Sequence, residues 1–183
     1  SLCIVCGSTW PEDEVVLLDY INAAPENVKF IIAPHKIEVD KISDFTKKIV
    51  KKTVLHSNKD EVNISDYDVL IIDCIGLLSK LYSYADIAYV GGAVGSTGLH
   101  NILEPATFSV PIVIGKNYDE FPEAIRLRDL AGLFSIRNAP ECSETLNKLV
   151  ANKDFRTKTG MISGHFVNKN TGATAKIMRH IAQ

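Results

Sequence analysis

Between Tyr89 and Phe108 the chain reads YVGGAVGSTGLHNILEPATF, with four glycines in eight residues followed by a histidine, an asparagine and a glutamate. Bare backbone beside such side chains suits a ligand rich in anionic and hydroxyl oxygens. Glycine turns sharply and adopts φ > 0 at little steric cost, so main-chain N–H groups can approach a bound group closely. The pattern predicts a strand, DIAYV, that runs into Gly91, Gly92, Gly95 and Gly98 and then into a helix starting at His100 and Asn101. Unpaired N–H groups and partial positive charge at a helix start favour a phosphate. Glu104 follows one turn along on a similar face, where its carboxylate can accept two ribose hydroxyl hydrogens.

Two further stretches carry chemistry. Gly7-Ser8-Thr9 follows an apolar run, and its hydroxyls are expected beside fresh helix N–H groups, which suits an anionic oxygen. Ser and Thr are favoured caps in their own right, so the same turn also reads as a plain helix N-terminus. Ala33-Pro34-His35 ends a second apolar run, and His35 reads equally as a ligand contact or a structural residue. Other phosphate motifs fail on spacing. Gly115-Lys116 is followed by Asn117, which breaks the P-loop pattern, and the loop glycines do not supply G-x-G-x-x-G. These failures argue against a P-loop hydrolase and an ordinary nicotinamide enzyme.

The elements that must position these groups alternate regularly. LCIVC, NVKFIIAP, TVLHS, DVLIIDC, DIAYVGG, VPIVIG and LFSIR read as short strands. Thr9 to Glu12 has capping-box form and opens a helix with Val15, Leu18 and Ile21 at helical spacing. Residues 37–52 form a helix with an inward stripe of Ile42, Phe45 and Ile49, and further helices are expected over 76–84, 100–108 and 120–131. Two or three more close the chain from Glu141 to Ala182. Strand and helix alternation with right-handed crossovers means a Rossmann-like, doubly wound parallel sheet with helices on both faces. Ligands of such α/β sheets sit beyond the carboxyl ends of the strands, where the strand order reverses.

Composition narrows the function classes. With 46% hydrophobic and 23% charged residues, the 183-residue chain fits one globular domain over 1–183. A net charge of −2 offers no basic field for nucleic acid. No apolar run reaches the roughly 18 residues of a membrane span, and SLCIV lacks the basic start of a signal peptide. That start suggests a piece excised from something longer. Cys3 and Cys6 form a C-x-x-C pair, but residues three apart on a strand face opposite ways, so core packing is expected and no metal site. Cys74 and Cys142 stand alone, and the expected compartment is reducing, hence cytoplasmic. Lys47, Lys48, Lys51 and Lys52 flank an apolar stripe and read as a solvated face. Asn63-Ile-Ser65 is a chance match to a glycosylation acceptor.

Taken together, the G-S-T turn, APH after the second strand, ADIAYVGG, and above all GLHNILEPATFSVPIVIG with FPEA and GLF resemble the C-terminal domain of bacterial 3-deoxy-D-manno-octulosonic acid (Kdo) transferases. The resemblance covers essentially the whole chain in motif order. It implies the donor half of a two-Rossmann GT-B glycosyltransferase, with nucleotide-sugar contacts at Gly7, Ser8, Thr9, His35, Gly92, Gly98, His100, Asn101 and Glu104. Departures from the family pattern are Pro34 in place of Arg, Leu77 in place of Glu, and Leu99 in place of a glycine. The implied donor is CMP-Kdo and the acceptor a lipid A precursor, with no cofactor and no essential metal. The implied general base, acceptor contacts and membrane contact belong to an N-terminal domain, so the isolated chain is expected to be inactive. The implied location is the cytoplasmic face of the inner membrane. Two alternatives stay open: another GT-B enzyme, such as a UDP-sugar transferase or a nucleotide-sugar 2-epimerase, and a non-catalytic nucleotide-binding module.

Overall fold

The computed structural model of the chain describes residues 1–172 and Met178. Seven parallel strands form one sheet in the order β3-β4-β2-β1-β5-β6-β7. The central strand β1 (Leu2–Thr9) is the longest, pairing with β2 (Val28–Pro34) on one side and β5 (Ile87–Val90) on the other. Beyond these lie β4 (Val69–Ile71) and β3 (Thr53–Leu55) on one flank, and β6 (Ile112–Ile114) and β7 (Leu133–Ser135) on the other. The strand order reverses between β1 and β5. Their carboxyl ends therefore frame the crevice expected of this topology.

Helices cover both faces, and the core is correspondingly double. Helices α1 (Pro11–Ala23), α2 (Val39–Lys48) and α6 (Ala139–Ala151) bury Leu17, Ile21, Ile42, Phe45, Leu146 and Leu149 against Ile4, Cys6 and Phe30 on one side. On the other side, Tyr82 just after α3 (Leu78–Leu81) packs with α4 (Leu103–Ala106), α5 (Pro122–Asp129) and α7 (Lys153–Lys169) against Val5, Ala88 and Ile112. Side chains alternate along β1, so Cys6 belongs to the first core while Cys3 packs against the second. The two thiols are thus separated by the sheet, as expected from their spacing. Among the described residues, no group of three or more His, Cys, Asp or Glu is placed to hold a metal ion. No described helix is long and apolar enough to cross a membrane.

Several local expectations are corrected. Gly7-Ser8-Thr9 is not a loop but the irregular end of β1, where the register against β2 shifts between Gly7 and Thr9. Ser8 there has φ of 52°, an unusual value for a residue with a side chain. The helix cap falls one residue later than expected, at Trp10, whose backbone N–H donates to Asp13, and because the indole cannot accept, the reciprocal half of a capping box is missing. The inward stripe of α1 is Val16, Leu17, Tyr20 and Ile21, and Val15 is 69% exposed. Successive helical positions lie about 100° apart, so a face centred on residues 16, 17, 20 and 21 turns Val15 outward. Helix α2 spans Val39–Lys48, with Ile49 as its cap, and keeps the expected Ile42, Phe45 and Ile49 inside. The helix expected over 100–108 is confined to Leu103–Ala106, and those over 76–84 and 120–131 shorten to α3, with a following 3-10 turn at Tyr82–Tyr84, and to α5. Of the expected closing helices, α6 and α7 are present, and residues 173–177 and 179–182 of that span lie outside the described residues.

Candidate functional site

The site is built outward from one buried carboxylate. Asp13, in the first turn of α1, is fully buried. Its Oδ2 accepts from the backbone N–H of Trp10 and of Gly92, each at 2.9 Å, and its Oδ1 accepts from the Tyr89 hydroxyl at 2.8 Å. Helix α1, the end of β5 and the glycine loop are therefore pinned together across the switch point. Burial raises the Asp13 pKa, while the Gly92, Trp10 and Tyr89 donors pull it back down.

Against this post the glycines are needed for contact. Gly92 has φ of 96° and any Cβ there would run into the carbonyl of Gly98, itself at φ of 91°. Gly91 donates to the Gly7 carbonyl at 2.9 Å, and the His100 N–H returns to the Gly91 carbonyl at 3.2 Å. Asn117 closes the loop from outside, bonding the Val94 and Gly95 carbonyls through Nδ2.

Three rings stand on this base. The His35 N–H donates to the Thr9 carbonyl at 2.8 Å, holding its ring beside Trp10 and His100. His35 stacks on Trp10 at 4.5 Å between centroids and on His100 at 4.3 Å. Trp10 and His100 are inclined by only 10°, and the indole N–H donates to His100 Nε2 at 3.0 Å. An indole N–H lies in its ring plane, so the two rings sit edge to edge as one flat surface, with His35 stacked against it. The Lys36 ammonium lies 5.2 Å from the Trp10 ring centre, a cation–π contact. Desolvation and then the neighbouring His35 lower the His100 pKa, so its neutral form is favoured.

Glu104 occupies a second part of the site. Its Oε2 accepts from Ser79 Oγ at 2.9 Å and its Oε1 from Asn101 Nδ2 at 3.2 Å. Asn101 Oδ1 takes the Leu103 N–H, capping α4. The expected helix-start cradle for a phosphate at His100 and Asn101 is thus replaced: both residues precede the helix, and Asn101 already occupies one of its free donors. The donors left for the expected anion are the His100 ring and the loop N–H groups beyond Gly92, because those of Gly91 and Gly92 are bonded to Gly7 and Asp13.

Of the residues expected at the site, Gly7, Ser8, Thr9, His35, Gly92, Gly98 and His100 gather at the carboxyl ends of β1, β2 and β5, and Asn101 leads on to Glu104 on α4. The Thr9 hydroxyl is buried and donates to Glu14 Oε1 at 3.3 Å. Trp10, Asp13, Lys36 and Ser79 were not expected. A signal for Asp13 does exist in the sequence, because it lies three residues after Trp10, with Pro11 at the first helical position.

The fold has the Rossmann-like form of the C-terminal domain of GT-B glycosyltransferases. The C-terminal CMP-Kdo binding domain of WaaA from Acinetobacter baumannii has the same fold, with a TM-score of 0.78 at 23% identity over 92% of this chain and 90% of that one. The fold also recurs in Anabaena HepE solved with UDP-glucose, with a TM-score of 0.70 at 11% identity over all of this chain and 49% of that one. In sequence, the chain is similar over most of its own length to 3-deoxy-D-manno-octulosonic acid transferases. It is 31% identical to that of Chlamydia trachomatis over 84% of this chain and 36% of the relative. For the Aquifex aeolicus transferase the identity is 30% over 91% of this chain and 48% of the relative. The Haemophilus influenzae transferase is 28% identical over 91% of this chain and 40% of its own length. The chain thus spans less than half the length of these relatives. No family model matches it.

Proposed function

We propose that this chain binds the donor CMP-Kdo for a Kdo transferase of lipopolysaccharide biosynthesis. The observation that carries the proposal is the convergence of the glycine loop with His35 and His100 at the switch point of the sheet. There, loop N–H groups and His100 offer donors to the phosphate of the nucleotide. Glu104, held by Ser79 and Asn101, is available to ribose hydroxyls by exchanging those neighbours. Nucleotide contacts are assigned to Gly7, Ser8, Thr9, His35, Gly92, Gly98, His100, Asn101 and Glu104. Donors aimed at the phosphate assist catalysis because its negative charge grows as CMP leaves.

Transfer also requires a base to deprotonate the acceptor hydroxyl. In this proposal the base, the lipid A precursor site and contact with the inner membrane reside in an N-terminal domain, and the present chain alone transfers nothing. Calorimetric titration of CMP and UMP into the protein tests the donor assignment. CMP is expected to bind at least tenfold tighter, and to raise the melting temperature more than UMP by mass action. Equal or tighter binding of UMP would replace this assignment with a UDP-sugar donor.

A further inference from the structure

Trp10 meets the site through a contact whose direction carries chemical information. Indole Nε1 is a donor only, so at 3.0 Å it requires His100 Nε2 to present a lone pair. A neutral imidazole has one proton, which must then sit on Nδ1. Desolvation and His35 both favour that neutral ring over the cation. The Cδ2 edge of His100 faces Gly92, so the ring orientation is set from two sides. Trp10 is itself fixed: its backbone N–H is held by Asp13 and its ring lies against His35. Stacking alone could be supplied by any aromatic residue, whereas the hydrogen bond needs the indole.

We propose that Trp10 is a positioning residue whose indole N–H fixes the tautomer and plane of His100, so that Nδ1–H is the single donor this ring offers to an anionic oxygen of the bound nucleotide. The ligand part of this statement rests on the nucleotide reading above; the tautomer part does not.

The test uses the protein labelled with 15N at histidine, at a pH well above the ordinary histidine range. Nε2 couples to both ring carbon-bound protons and Nδ1 strongly to only one, so the unprotonated nitrogen of His100 can be named. It is expected to be Nε2. In Trp10→Phe, which keeps the stack and loses the donor, the signal should move toward a mixture of tautomers and CMP should bind about tenfold more weakly. An unprotonated Nδ1 in the wild-type protein overturns the proposal. So does a Trp10→Phe protein with unaltered tautomer and unaltered CMP affinity. A second pair of variants tests the ligand part without touching Trp10. The Asn amide reaches where Nδ1–H stands and the Gln amide where Nε2 stands, so His100→Asn should bind CMP several-fold better than His100→Gln, and the reverse order overturns it. Should CMP not bind the wild-type protein at all, the nucleotide reading falls, and the spectrum alone decides the tautomer.

Discussion

Two carboxylates serve the same crevice under opposite conditions. Asp13 is fully buried and takes three donors from three parts of the chain, two of them backbone N–H groups. Glu104 is half-buried, sits on a helix of four residues, and takes its two bonds from the side chains of Ser79 and Asn101. A buried acceptor with fixed donors cannot be exchanged for anything in solution, so its contribution is shape. An acceptor whose donors are mobile side chains near solvent can trade them for ligand hydroxyls at small cost. The difference gives Asp13 an architectural role and suits Glu104 to the recognition proposed for it.

The largest expected effect separates them directly. Asp13→Ala leaves the Trp10 N–H, the Gly92 N–H and the Tyr89 hydroxyl without their acceptor, and should lower the unfolding free energy by about 3 to 5 kcal/mol in urea titrations. A loss below about 1 kcal/mol would show that water replaces the carboxylate freely and that the post is not structural.

Next comes Glu104→Gln, which retains size and one acceptor oxygen but loses charge assistance. CMP affinity should fall by roughly 1.5 to 3 kcal/mol while the unfolding free energy moves by less than about 1 kcal/mol. An unchanged dissociation constant in the folded variant would remove Glu104 from the ligand and place it with Asp13 as scaffolding.

The smallest effect belongs to a third carboxylate, Glu14, which sharpens what burial does when donors are few. Burial, partly opposed by the Thr9 hydroxyl, raises its pKa from 4.5 to about 7. A raised carboxylate favours the protonated native state. Its stabilising contribution is complete below 4.5 and is lost as pH rises through 7. Glu14→Gln should therefore match the wild type near pH 4 and exceed it by at most about 1 kcal/mol near pH 8, after allowing for solvent screening. Parallel stability profiles for the two proteins across that window would exclude a shifted Glu14.

How much of this was legible in the sequence follows from the range of the interactions. Strand and helix alternation is local, so the doubly wound sheet and the glycine loop could be read directly from spacing. The face of α1 was harder, because apolar residues at 15 to 18 and 20 to 21 fit more than one stripe, and only packing against the sheet selects Val16, Leu17, Tyr20 and Ile21. The helix at His100 was overextended. Gly98 at positive φ and the Asn101 cap delay it to Leu103, and apolar periodicity does not register either. Trp10, Lys36 and Ser79 escaped notice because their partners are far away in the chain: Trp10 meets His100 across 90 positions, and Ser79 meets Glu104 across 25. Their roles exist only once β1, β2 and β5 lie side by side.

The chain contains one tryptophan, and it sits at the crevice mouth instead of in either core. Light absorbed selectively by indole is thus emitted from a single spot, whose brightness and colour depend on His100, His35 and whatever displaces the water around them. The protein carries its own optical reporter, located where the proposed ligand arrives. A change in that emission at constant tyrosine signal reads occupancy of the crevice, and both signals changing together read loss of the fold.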